Sequence, residues 1–344
     1  MDARRASVSI LYNGTDATKQ IAGDLSSFTY TDVASGSSDS ISLQINDRNR
    51  RWIGPWFPVK GDRIKPKILT FDWRSTGDNK VFPCGSFGVD DISFQGGPIC
   101  LSLNALALPP ESGFKTTERT ETYEATTLQE IGQAIADRAG VSLFYDAPAV
   151  TIEKVEQSNQ NDCDFFNGLV IRFGLALKVF NDRLVVFSEA PYEAKQAKAE
   201  LTETDFEPDW TFNTTLNGTY TGVKYQYTNS DKNLTFTVEA GDGERILTRN
   251  DAAENLTEAT AIALAAVNNA NKSTTTMRIT IKAIPGLIAT DCIQIKGLGK
   301  LSGKYYVEEI AHTVGNGYKM ALQLRKVEAR ITEATTVSST VAEG

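Results

Sequence analysis

The chain has 344 residues, 41% apolar and 23% charged, the make-up of a folded globular protein and not of a disordered or fibrous one. A formal charge of −8 argues against a protein whose main task is gripping phosphate backbones, which needs a basic surface. No run approaches the ~18 apolar residues of a membrane helix and no signal peptide follows Arg4 and Arg5, so synthesis and folding in the host cytoplasm are expected.

Most of the chain reads as antiparallel strands. Residues 6–14, 26–33 and 39–47 alternate apolar and polar side chains between clusters of Gly, Ser, Asn and Asp. Residues 48–64, RNRRWIGPWFPVKGDRI, follow as a connector holding four arginines, two tryptophans and a phenylalanine. The middle changes character. Thr127 and Glu130 form a capping box for a helix over 127–140, closed by Gly140, and a short strand spans 141–145. A second helix runs from about 162 to 174 into a hairpin, 175–180 and 183–187, turned by Asn181-Asp182. Strands return at 219–228 and 233–240, a helix over 251–270 has Asp251 and Glu254 spaced as a capping box, and strands continue from 275 to about 327. Residues 332–344 are Thr-, Ser- and Ala-rich without a packing pattern, so a flexible tail is expected.

The sequence also echoes itself. GSFGVDDI at 85–92 and GKYYVEEI at 303–310 share G-x-aromatic-x-V-acid-acid-I, and each is followed by a glycine turn and an apolar strand. Before them, PVKGDRI from Pro58 and PGLIATDCIQI from Pro285 each place an aspartate two residues ahead of an isoleucine. More loosely, 28–45 parallels 223–238 as strand, polar turn, strand. The reading is a mainly β fold of two similar antiparallel β-barrels flanking an α+β insertion. The barrels span 5–108 and 201–327 (with the inserted helix 251–270), the α/β module 115–195, and the flexible tail 328–344. Neighbours on a strand point to opposite faces, so Asp90-Asp91 and Glu308-Glu309 are not expected to act as acid pairs.

Chemistry is sparse. His312 is the sole histidine, no G-x-S-x-G elbow accompanies it, and a strand position matching Phe94 implies a core or edge role. Cys84, Cys100, Cys163 and Cys292 are scattered, without zinc spacing or a disulfide framework. GLGKLSGKY at 297–305 fails the phosphate-loop pattern in spacing and places Tyr305 where a magnesium-binding hydroxyl belongs. No catalytic, metal or cofactor site is assigned.

In the order and spacing of its parts, the chain resembles the baseplate hub proteins of contractile phage tails, the phage late control protein D-like family, and the N-terminal part of type VI secretion spike proteins. The stretches that carry this are 161–187, 279–327 and 56–64, within a resemblance covering about 5–328. It implies tail-tube-like barrels and a non-enzymatic homotrimer in the baseplate of a virion or tail-like particle. Tube protein would lie above it, a separate spike protein below, and other baseplate proteins around it. Three chains with two barrels each would present six barrels to a hexameric tube and threefold symmetry to a trimeric spike. The acidic charge fits a conduit that repels passing DNA. Alternatives are a tail-associated peptidoglycan hydrolase, or a glycan-binding β-protein using exposed Trp52 and Trp56. The connector lies where the two copies diverge most, and Trp and Arg are the anchors enriched in interfaces. Arg51, Trp52, Trp56 and Phe57 are therefore the candidate assembly contacts.

Overall fold

A computed structural model describes residues 4–107 and 113–341; position 108, the expected end of the first barrel, and 342–344 of the expected tail fall outside the described residues. The protein is mainly β with a small α/β module, as the strand patterns imply. Period-2 alternation sets the packing: along Ser40–Asn46, Ile41, Leu43 and Ile45 are buried while the intervening polar side chains line the other face. In the module, helices Leu128–Ala139 and Asp162–Arg172 join a three-stranded sheet and a two-stranded ribbon. The Thr127–Glu130 capping box is formed, and Asn181 and Asp182 both take positive φ in the hairpin turn.

The echo has a structural counterpart. One fourteen-stranded sheet contains, in spatial order, Thr211–Thr214, Thr275–Lys282, Gly317–Lys326 and Gly303–Gly315, followed directly by Leu25–Val33, Ser40–Asn46, Cys100–Leu106 and Phe87–Gln95. These are two repeats of one four-strand order. In each, a further strand pairs with the early half of the fourth: Arg63↔Gly88 and Ile64↔Phe87 in the first repeat, Cys292↔Tyr306 and Ile293↔Tyr305 in the second. The V-acid-acid-I motif carries the same register shift in both, between Val89 and Asp91 and between Val307 and Glu309. Across each bulge an amide donates to the second acid, Asn104 to Asp91 at 3.2 Å and Gln323 to Glu309 at 2.8 Å. The preceding turns also agree. Asp62 accepts from the Val59 N–H and Asp291 from the Ile288 N–H, at 2.8 and 2.9 Å. Gly61 and Thr290 N–H groups bond the carbonyls of Val89 and Val307, both with left-handed φ, +89° and +80°.

Four expectations need correction. The bulge interrupts alternation, so Asp90 and Asp91 are both exposed, where regular alternation would leave only one of them facing solvent. The hairpin of Gly222–Asn229 and Leu234–Gly241 is not the partner of 28–45; it sits in a separate four-stranded sheet, and Thr275–Lys282 holds the place of Ser40–Asn46. The physical reason is its apolar face, Val223, Tyr225, Phe236 and Val238, which packs on helix Leu256–Asn271 through Ile262 and Val267. That helix begins later than 251, because Asn255 caps it by accepting from the Glu258 N–H at 2.9 Å, while Asp251 binds Arg249. The expected tail contains a strand, Ala334–Val341, paired with Leu234–Gly241; backbone pairing at a sheet edge needs no apolar alternation.

The repeats join where Leu25–Val33 pairs with Gly303–Gly315, His312 lying opposite Tyr30. His312 is fully buried, its ring stacked on Tyr30 at 5.4 Å and Phe82 at 5.2 Å, with Nδ1 2.8 Å from the Tyr318 hydroxyl. Burial, against the pull of Asp32, lowers its pKa to about 4, so the imidazole is a neutral core group. Beside it, Lys178 of the module binds Asp32, Asp39 at 3.2 Å and the Val33 carbonyl at 2.8 Å. Asp32 also accepts from the Ala289 N–H of the second repeat at 2.8 Å, so one buried cation ties three parts of the chain together. Desolvation pushes Asp39 up to about 6 despite Lys178, whose own charge is held by the two aspartates against the effect of burial. A second pin is Arg325, buried on the Tyr306 ring at 4.2 Å and ion-paired with Glu193 of the module at 2.6 Å.

Candidate assembly surface

The 48–64 connector is organised by two buried aspartates. Asp47, at the end of its strand, accepts from the N–H groups of Trp52 at 3.1 Å and Ile53 at 2.9 Å, folding the chain back on itself. Asp24 receives the Arg51 guanidinium at 2.8 Å and the Trp52 indole N–H at 3.4 Å. These contacts bury Trp52 to 4% exposure. Trp56 stands edge-on to Trp52 at 5.7 Å with the Arg51 guanidinium 4.5 Å over its ring, 36% exposed. Phe57 is 53% exposed and stacks on Phe94 at 5.7 Å. Asp62 then clasps the exit of the connector, accepting from the Tyr12 hydroxyl at 2.5 Å and the Asn13 amide at 2.8 Å.

The four candidate residues are therefore neighbours with different jobs. Trp52 is core, Arg51 is held internally, and Trp56 and Phe57 face outward beside exposed Ile53 and Val59. Between Trp56, Phe57, Tyr12, Ala17 and Ile21 lies an open groove of about 400 Å³. A sugar platform built from Trp52 and Trp56 together is not available, because Trp52 is buried. Sequence reasoning missed two aromatic residues at the sheet edges. Phe94 lies in the distal half of Phe87–Gln95, which pairs only with Cys100–Leu106, and Phe212 lies in Thr211–Thr214, which pairs only with Thr275–Lys282, among the described residues. The signal was present, since the echo aligns Phe94 with His312.

Tandem four-strand repeats in one sheet with a buried three-way junction define a mainly β fold that is shared with phage tail proteins. The 43 kDa tail protein of prophage MuSo2 from Shewanella oneidensis superposes with a TM-score of 0.70 at 10% identity, over 93% of this chain and 98% of that one. A component of the E. coli type VI secretion system gives 0.51 at 11% identity, over 91% and 76%. In sequence, the chain is similar to the "Probable baseplate hub protein" of Escherichia phage P2, 26% identical across 179 residues. That match takes in 51% of this chain and 43% of the relative, so it spans less than half of the relative's length. No protein-family model matches. The hub resemblance read from the sequence agrees with these comparisons.

Proposed function

We propose that the chain is a non-enzymatic hub subunit that assembles as a homotrimeric ring, joining a hexameric tail tube to a trimeric central spike in a baseplate. The observation that carries this is the repeated four-strand order within one sheet: three chains would supply six equivalent repeats in one ring. A heterologous head-to-tail contact of this type generates a ring when the rotation closes. The names of the similar proteins, tail, baseplate hub and secretion-system components, support the same role.

The sheet face away from the core would line the conduit. It is hydroxyl- and amide-rich, with Asp91 and Glu309 set against Arg278, Lys282 and Lys319. The acid-lined pore expected from net charge is therefore not part of this proposal; a nearly neutral, small-polar wall would release DNA or protein cargo through weak contacts. Cell-wall hydrolysis draws no support from the buried, stacked His312. Light scattering tests the assembly: the chain mixed with its spike protein is expected at three times its 37.5 kDa mass plus the spike, and a monomer indifferent to the spike would overturn it.

A further inference from the structure

Resting on the ring reading, we infer where the seam between protomers lies: Thr211–Thr214 of one chain adds antiparallel to the outer edge of residues 92–95 in the next. The register is Thr211↔Gln95, Phe212↔Phe94, Asn213↔Ser93 and Thr214↔Ile92, and Phe94 packs against both its own Phe57 and the incoming Phe212. The occupant of both edges is a second copy of this chain.

The template is inside the molecule. The second repeat presents its fourth strand to the first strand of the first repeat, pairing Thr313 with Thr29, His312 with Tyr30 and Ala311 with Thr31. The shared registers map these positions onto one another. Glu309 and Asp91 both follow the bulge, which makes His312 equivalent to Phe94 and Thr313 to Gln95. Ser42 and Arg278 both stand opposite the amide residue of the next strand, and their partners on the other side are Thr29 and Thr211. Tyr30 is thus equivalent to Phe212. The sheet begins with one copy of the donor edge, Thr211–Thr214, and continues past Phe87–Gln95 through Arg63–Phe71 and Arg5–Tyr12. Arg63–Phe71 pairs only with the early half of Phe87–Gln95, and Arg5–Tyr12 pairs with Arg63–Phe71, so residues 92–95 remain as one copy of the acceptor edge among the described residues. Both edges carry unpaired backbone groups, and both bear an aromatic side chain where the internal junction holds a stacked pair.

The comparison also assigns the connector a task. At the internal junction His312 also packs on Phe82, from strand Lys80–Pro83 of the first repeat, and the Phe82 and Tyr30 rings themselves lie 6.1 Å apart. The second repeat has no such strand; Cys292–Ile295 is followed by the short turn Gly299–Leu301. The neighbouring chain's second repeat therefore offers no strand in the place of Lys80–Pro83 to cover Phe94. The 48–64 connector brings Phe57 onto Phe94 instead, with rings inclined by 22°, close to the 28° of Phe82 on His312. Trp56, Ile53 and Val59 then flank the seam as its exposed apolar border.

Paired cysteines in the full chain test the register. Thr29 and Thr313 hydroxyls lie 3.3 Å apart at the internal junction, so Thr211→Cys with Gln95→Cys is the matched pair. Asn213→Cys with Gln95→Cys is shifted by two positions. Under mild oxidation in the presence of spike protein, the matched pair is expected to give covalent species up to three chains, roughly tenfold more than the shifted pair or either single variant. Equal crosslinking of matched and shifted pairs in a ring of trimer mass would overturn the seam and leave the ring reading intact. Absence of any trimer by mass would overturn both. Phe94→Asp gives an independent readout: below the variant's own melting transition the monomer should be folded while trimer is lost, and a trimer unaffected by Phe94→Asp and by Phe212→Asp would also refute the seam.

Discussion

Replacing Lys178 by methionine removes the cation that the first repeat, the module and the second repeat share. At 3.2 Å from Asp39 and an effective dielectric of about 20, the attraction is roughly 5 kcal/mol, with Asp32 adding to it. Desolvation of the ammonium offsets part of that, but the variant leaves two buried carboxylates facing each other, a change that typically destabilises by about 3–5 kcal/mol. The sign of the pH dependence follows from Asp39. Its folded pKa, about 6, lies above the ordinary carboxylate value, so the native state binds the extra proton and this group favours folding more as pH falls through 6. Without Lys178 that pKa rises further, so the deficit of the variant should be greatest at alkaline pH and shrink as pH falls toward 6. Urea unfolding followed by tryptophan fluorescence at several pH values measures this through the first transition. A deficit below about 1 kcal/mol at pH 8, or one that grows on acidification, would refute the junction as a charge-dependent pin.

Trp52→Ala should destabilise the isolated chain by about 3–5 kcal/mol, whereas Trp56→Ala should change it by less than about 1 kcal/mol and act on assembly; comparing melting temperature with trimer mass separates them. Thr290→Gly should stabilise by about 1 kcal/mol in thermal unfolding, since a β-branched residue at φ +80° is strained where the first repeat uses Gly61, and Gly61→Thr should do the reverse. His312→Phe strands the Tyr318 hydroxyl and should cost about 1–3 kcal/mol at pH 7.5. Because burial depresses the His312 pKa from 6.5 to about 4, the wild type loses up to about 3 kcal/mol as pH falls across that window while the variant does not, so paired stability curves should converge on acidification.

The duplication was legible where local chemistry demands particular residues. The turn needs an aspartate to bond the N–H three residues back, and the bulge follows a valine whose N–H and carbonyl both bond that turn. Strand-turn-strand patterns carry no such constraint, so the Gly222–Asn229 hairpin reads like 28–45 although it lies in a separate sheet; its partner helix, not its own alternation, decides its place. The connector was recognisable as a special segment, but only Asp24 and Asp47 decide that Trp52 goes inward and Trp56 outward. Lys178 and Asp32 meet across 146 positions, a contact no local pattern encodes. The strand Ala334–Val341 has no apolar alternation to read, because it is held mainly by backbone pairing at a sheet edge, with Thr335 donating to the Glu239 carbonyl at 3.1 Å.

The central claim is that each chain contributes two equivalent repeats to one closed ring of three. Electron microscopy of the protein with its spike, averaged without imposed symmetry and viewed down the ring axis, tests it most directly. The account predicts six lobes around an open centre, alternating in outline because only one repeat of each chain carries the Lys80–Pro83 strand and the 48–64 connector. A ring with any other number of lobes, or six lobes without alternation, would contradict it.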